Sequence, residues 1–124
     1  RQYHPLADVK PVASLEDIVE LQTQVRNVDV EKTIVNYMTT IVRSTRAESR
    51  LRLGASPRAS LILYRNSQAL ALLRGRDYVI PDDVKELAIP TLAHRLVLQN
   101  KAVYAGTSKE DIISDILNNT GVPI

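Results

Sequence analysis

The run Gly54-Ala55-Ser56-Pro57-Arg58-Ala59-Ser60-Leu61 holds the residue types needed to start a helix and to offer a cation at that start. Serine is a preferred N-cap because its hydroxyl accepts from an N–H of the first turn, and proline at the first helical position gives up no helical hydrogen bond. Ser56 is therefore expected to cap, Pro57 to open the helix, and Arg58 to fall in its first turn. The helix dipole makes this end partly positive, so an arginine here is mildly unfavourable unless an anion shares the site. A phosphate would resolve the conflict by accepting from the free N–H groups and the guanidinium together. The alternative is an Arg58 side chain turned into water or paired with a local carboxylate.

Other reactive groupings are sparse. Asp82 and Asp83 are adjacent carboxylates, but they follow Pro81, where acids favour a helix start, and they read as capping groups rather than an acid–base pair. The two histidines, His4 and His94, lie far apart without metal-ligand spacing, so no metal site is expected, and His94-Arg95 reads as a packed or solvated pair. The absence of cysteine excludes disulfides and thiolate metal sites and fits a reducing, cytoplasmic setting. Gly54, Gly75, Gly106 and Gly121 form neither G-x-x-x-x-G-K-[ST] nor G-x-G-x-x-G, so the chain is not expected to cradle a nucleotide by itself. No Ser-His-Asp or Cys-His set is recognisable.

The net charge is only +2, yet residues 43–76 carry eight arginines, the first Arg43 and the last Arg76, against one acid, Glu48. Such a stripe can meet phosphates or an acidic partner, although a charge run more often marks a solvated face. With 124 residues and 44% hydrophobic content, the chain has enough for one domain around a single core. Its longest apolar runs, 61–64 and 69–73, are far too short to span a bilayer. The opening Arg1-Gln2-Tyr3-His4-Pro5 has no signal-peptide character, and an excerpt from a longer protein is expected.

The elements that must position Arg58 follow from periodicity and caps. Pro5 and Pro11 make residues 1–13 an extended connector, and 14–124 form the helical domain. Ser14 with Asp17 is a capping-box start, followed by Leu15, Ile18, Leu21 and Val25 on the expected buried side. Residues 27–30 break that helix. A second helix begins near Asp29, with Ile34, Met38, Ile41 and Val42 on one face, and 47–55 reads as its end and a loop into Gly54. The third helix, about 57–74, is apolar around most of its circumference and should be central, with Gly75 as its stop. Residues 78–80 are extended, Pro81 opens a fourth helix, and Pro90 bends or ends it. Residues 96–104 fit either a helix extension or a small hairpin. Ser108 with Asp111 starts a last helix bearing Ile112, Ile113, Ile116 and Leu117, and 118–124 reads as a fraying tail. The expected class is mainly α, a small bundle of about five helices, with a very short strand pair as an open option.

Four stretches carry a family resemblance: Leu53-Gly54-Ala55-Ser56-Pro57-Arg58-Ala59; Ala69-Leu70-Ala71-Leu72-Leu73-Arg74-Gly75-Arg76-Asp77-Tyr78-Val79; Pro81-Asp82-Asp83-Val84-Lys85; and Leu92-Ala93-His94-Arg95-Leu96. Together they resemble the C-terminal lid of MoxR-type AAA+ ATPases. The opener, His4-Pro5-Leu6 and Lys10-Pro11-Val12, resembles the passage from that family's ATPase core into its lid. Ile80 departs from the pattern, since the family often has a threonine there to cap the next helix; the loss costs about 1 kcal/mol locally.

The resemblance implies that Arg58 is the sensor-2 arginine, reaching the terminal phosphates of ATP, with Ser56 and Pro57 beside it. ATP and Mg²⁺ would belong to the full-length protein. Its phosphate loop, Mg²⁺-binding acids and arginine finger would lie in the core domain, so this fragment alone is not expected to hydrolyse ATP. The implied partners are that N-terminal core, neighbouring subunits of a homo-oligomeric ring, expected as a hexamer, and client or von Willebrand A-type proteins. No membrane partner is expected. The competing function is a helical nucleic-acid-binding module using the 43–76 stripe, but Tyr64 is the one aromatic within it, which provides poorly for base stacking.

Overall fold

The computed structural model describes residues 4–124. Arg1, Gln2 and Tyr3, the first residues of the expected connector, lie outside the described residues. The rest of that connector is not simply extended: Pro5–Asp8 forms a 3₁₀ turn, opened by proline and capped by the His4 imidazole, which accepts from the Leu6 N–H at 3.2 Å.

Helices α1 (Leu15–Arg26), α2 (Lys32–Ala47), α3 (Arg58–Leu73), α4 (Pro81–Leu92), α5 (Asn100–Tyr104) and α6 (Lys109–Asn119) account for most of the described chain. Reciprocal capping boxes start α1, through Ser14 and Asp17, and α6, through Ser108 and Asp111, as the spacing predicts. Helix α2 begins three residues later than expected. Asp29 is instead held extended, its N–H donating to the Asp77 carbonyl and its carbonyl accepting from the Val79 N–H. The Gln68 amide, buried in α3, donates to the Val28 carbonyl at 2.8 Å and fixes the same corner.

The core sits among α2, α3, α4 and α6. Ile34, Met38, Ile41 and Val42 of α2 are buried, as the spacing requires, and Ile112, Ile113 and Ile116 of α6 close the core from the opposite side. Helix α3 is central, packing on α1, α2 and most extensively on α4. Its inner face is narrower than the composition suggests. Ala59, Leu63, Ser67, Gln68 and Ala71 are buried, whereas Leu61 and Leu73 are exposed. It stops at Gly75, whose φ of +77° is open to glycine and whose N–H returns to the Leu72 carbonyl while that of Arg76 returns to Ala71. Helix α1 departs from expectation most. Leu15, Ile18 and Leu21, placed on a buried side by periodicity, are 75%, 45% and 41% exposed, because α1 packs chiefly on α3 and these side chains stay uncovered among the described residues.

The segment 47–55 is not wholly a loop. Leu51–Leu53 is strand β1, antiparallel to β2 (Val97–Leu98), with Leu51 opposite Leu98 and Leu53 opposite Val97. Residues 96–104 are therefore neither helix extension nor hairpin: β2 pairs with a distant strand and α5 follows directly. Pro90 does not end α4, which runs two residues further and then tightens into a 3₁₀ turn at Ala93–Arg95. Beyond α6, residues 120–123 line a groove with α2 residues Thr33, Asn36, Tyr37 and Thr40.

Two contacts hold this frame. The fully buried Asp83 carboxylate accepts the Ile80 N–H at 2.9 Å and the Arg76 guanidinium at 2.6 and 2.8 Å, with Arg74 at 3.9 Å. Ile80 has no side-chain acceptor, so only this half of a capping box forms at α4. Burial pushes the Asp83 carboxyl up, but the hydrogen bonds from Arg76 and Ile80 and the charges of Arg76 and Arg74 together hold it below its ordinary 3.8. The second contact joins α2 to the loop before α3. The Thr45 hydroxyl donates to the Val42 carbonyl at 2.6 Å and accepts the Ala55 N–H at 2.9 Å, and Gly54 lies against the Thr45–Arg46 backbone.

Because the Asp83 carboxyl is lowered on folding, its contribution is present above pH 3.8 and lost as the pH falls through the lowered value. Arg76→Gln should cost about 2 kcal/mol in urea unfolding at neutral pH, less than a fully enclosed pair because the Arg76 side chain is 20% exposed. That deficit should narrow near pH 3; an equal deficit at both values would mean that Arg76 does not act through Asp83. At Gly54 a Cβ would come within 2.6 Å of the Thr45 carbonyl group, so Gly54→Ala should lower stability by about 1–3 kcal/mol, read as a fall in Tm.

Candidate functional site

Arg58 is the first residue of α3, and it, Ser56 and Pro57 are all exposed. Pro57 has helical angles, φ −56° and ψ −27°, as a proline opening a helix should. The expected Ser56 side-chain cap does not form. The Ala59 N–H that a serine cap would take is held by Ser56's own carbonyl at 2.9 Å, in a tight turn followed by Ser60 N–H to the Pro57 carbonyl at 3.0 Å. The hydroxyl of Ser56 is thus left without a partner among the described residues, beside the positive end of the most central helix. Arg58 has no carboxylate within ion-pair reach among the described residues, so the reading in which it pairs locally does not hold.

The arginine stripe divides into two groups. Arg50 bridges Glu48 at 2.9 Å and Asp115 at 3.0 Å, and the hydrogen bonds from Arg50 hold the Glu48 carboxyl below its usual range. Arg74 makes a two-pronged pair with Glu86 at 2.6 and 2.7 Å, and Arg76 makes another with Asp83. Arg65 donates to the Gln68 side chain at 3.0 Å and lies 5.6 Å from the Tyr64 ring centre. Arg43, Arg46, Arg52 and Arg58 remain without any side-chain partner among the described residues. Apart from Glu48, the acids that neutralise the stripe lie outside 43–76, so no count within that segment could find them.

Of the paired carboxylates, Asp83 caps α4 and Asp82 is exposed in its first turn, which accords with a capping role. His94 is exposed and Arg95 half-buried, its Nε donating to the Thr91 carbonyl at 3.0 Å. Arg95 joins a grouping that sequence reasoning missed. With Arg46, Arg52, Leu53, Gly54 and Ser56 it lines an open cleft of about 450 Å³ beside the start of α3. Only the pairing of β1 with β2 brings residue 95 to residue 52, and neither strand is recognisable from its few residues. Among the described residues no helix is long and apolar enough to cross a membrane, and no group of three potential ligands could hold a metal ion.

Comparison with known proteins agrees with this architecture. The family model for the AAA lid domain matches residues 43–116. The chain is 42% identical over 121 residues to the uncharacterized protein YeaC of Bacillus subtilis, covering 98% of this chain and 38% of that protein. It is 38% identical over 123 residues to the chaperone MoxR1 of Mycobacterium tuberculosis, covering 92% of this chain and 33% of the chaperone. A crystal structure of a "putative ATPase" from Cytophaga hutchinsonii superposes with a TM-score of 0.82 at 31% identity, over 88% of this chain and 36% of that one. The chain thus spans about a third of the length of these relatives. The match over 43–116 and the likeness to these relatives show that the chain belongs to the AAA lid domain family, as a lid of the MoxR type.

Proposed function

We propose that this chain is the lid of a ring-forming MoxR-type ATPase and that Arg58 is its sensor-2 residue, reaching from the start of α3 to the terminal phosphates of ATP held by a preceding core domain. The observation that carries the reading is a guanidinium at the exposed N-terminus of the central helix with no acid to neutralise it among the described residues. A cation at that end of a helix dipole is stabilised only when an anion arrives, and phosphate oxygens would meet the guanidinium within the field of that positive end. The donor set suits phosphate and does not suit Mg²⁺, for which no cluster of acids is present among the described residues. Magnesium would therefore be held outside this chain. When bound, ATP supplies the phosphoryl group. Arg58 would stabilise the charge that develops on it and, being rigidly attached to α3, tie the lid's position to the state of the nucleotide.

The rest of the surface suits attachment to a larger assembly. The apolar side of α1, with Leu15, Ile18 and Leu21 exposed, is where this reading expects the ATPase core to seat. Neighbouring subunits of a hexameric ring, and client or von Willebrand A-type proteins, complete the proposed partners in the remodelling of other proteins. A nucleic-acid face is less well supported, since Arg50, Arg74 and Arg76 are already engaged by carboxylates.

In the full-length protein Arg58→Ala should lower ATP turnover at least about tenfold, with Arg58→Lys intermediate. The unfolding temperature of the lid should stay level or rise slightly, because an unfavourable charge leaves the helix start. Turnover unaffected by the alanine variant would sink the sensor assignment.

A further inference from the structure

The cleft beside α3 carries cations that the role given to Arg58 does not use. Arg46 lies in the last turn of α2 and is held next to the 54–56 loop because Gly54 lies directly against its backbone. Arg52 is exposed on β1, and Arg95 arrives through the pairing of Leu53 with Val97. The Arg95 Nε bond to the Thr91 carbonyl fixes that side chain and leaves its two terminal nitrogens free. The three arginines come from three different elements and line one open cleft of about 450 Å³ with Leu53, Gly54 and Ser56. None has a carboxylate partner among the described residues.

We infer that Arg46, Arg52 and Arg95 form an anion site, separate from Arg58, that takes the phosphate oxygens of a polyphosphate chain, whether inorganic or borne by a nucleotide. Three like charges gathered at one cavity repel one another, and a compact multivalent anion relieves this best. Carboxylates would each neutralise one charge and would have to enter as three separately placed side chains. A triphosphate brings several charges and many acceptor oxygens on one short chain that a cleft of this size can accept. Arginine forks match phosphate oxygens in pairs, the unpartnered Ser56 hydroxyl adds a donor, and the positive end of α3 adds its field. No aromatic side chain lines the cleft, so a nucleobase finds nothing to stack on there, and recognition is confined to the phosphates.

The test is titration of the 124-residue chain with inorganic tripolyphosphate, ATP, adenosine and hexaglutamate, followed by amide shifts in nitrogen–proton NMR spectra and by calorimetry. Tripolyphosphate should bind one saturable site and shift Arg46, Arg52, Gly54, Ser56 and Arg95. ATP should compete for it with similar affinity if nucleotides are a source, whereas binding of tripolyphosphate alone would identify the inorganic chain as the source. Adenosine should shift nothing. Arg52→Gln and Arg46→Gln, both at exposed positions, should each weaken binding about tenfold, and Arg43→Gln should leave it unchanged. Retained spectral dispersion would show that the variants fold. Hexaglutamate binding as tightly as tripolyphosphate would overturn the assignment to phosphate. Loss of binding in Arg58→Ala, with no loss in Arg46→Gln or Arg52→Gln, would also overturn it while leaving the sensor reading of Arg58 intact.

Discussion

The junction of Thr45 with the 54–55 backbone is the constraint on which the placing of the start of α3 depends. One hydroxyl, on the last turn of α2, donates to its own helix and accepts from Ala55, and it does so fully buried. A buried hydroxyl with both its donor and an acceptor lobe engaged is costly to displace, since breaking either bond strands a polar group out of water. Gly54 makes the junction possible, because any larger residue would overlap the Thr45 carbonyl group. Three elements thereby share one anchor: the end of α2, the end of β1 and the approach to α3. A shift of this loop would move Arg46, Ser56 and Arg58 together.

Arginines in this chain serve two physical purposes, and burial of their partners separates them. Arg76 answers a carboxylate that burial would otherwise make very unfavourable, and so it holds α4 to the end of α3. Arg50 ties the α2–β1 turn to Asp115 of α6, joining residues 65 positions apart. Arg74 and Glu86 lie on the surface, where such pairs contribute little, but they flank Asp83 and enclose the same corner. Arg46, Arg52 and Arg58 have no such use and cluster around the start of α3. None of these three is neutralised by a carboxylate among the described residues, so the positive charge at this end of the fold is left to solvent or to a ligand.

The features readable from sequence are those set by neighbours in the chain. Ser14 with Asp17, Ser108 with Asp111, the α2 face at Ile34, Met38, Ile41 and Val42, and the Gly75 stop each rest on interactions spanning a few residues, and each forms as spacing requires. The run 54–59 likewise exposed Arg58 as the residue to consider, although the Ser56 cap gave way to a tight turn of the main chain. Features that depend on distant partners were hidden. The strands comprise three and two residues and pair across more than forty positions, so neither has enough alternation to betray it. Arg95 could not be associated with Arg46 without that pairing. Helix α1 misled for a different reason: its periodic apolar side is real, but periodicity reports which side wants to leave water, not which of several surfaces covers it.

The free arginines also bear on how such a domain could respond to its ligand. Mutual repulsion among Arg46, Arg52 and Arg95, together with the cation at the head of α3, acts against the rigid seam that gathers them. An anion that binds only the gathered arrangement stabilises it in proportion to its affinity, by mass action. Two of the elements that meet there, α2 and α3, also enclose the core with α4 and α6, so local neutralisation would reach beyond one loop. The lid would then be more resistant to opening when phosphate is present and more pliant when it leaves. On the anion-site reading, such a difference would arise from neutralised charge at the seam, without any rearrangement of the helices.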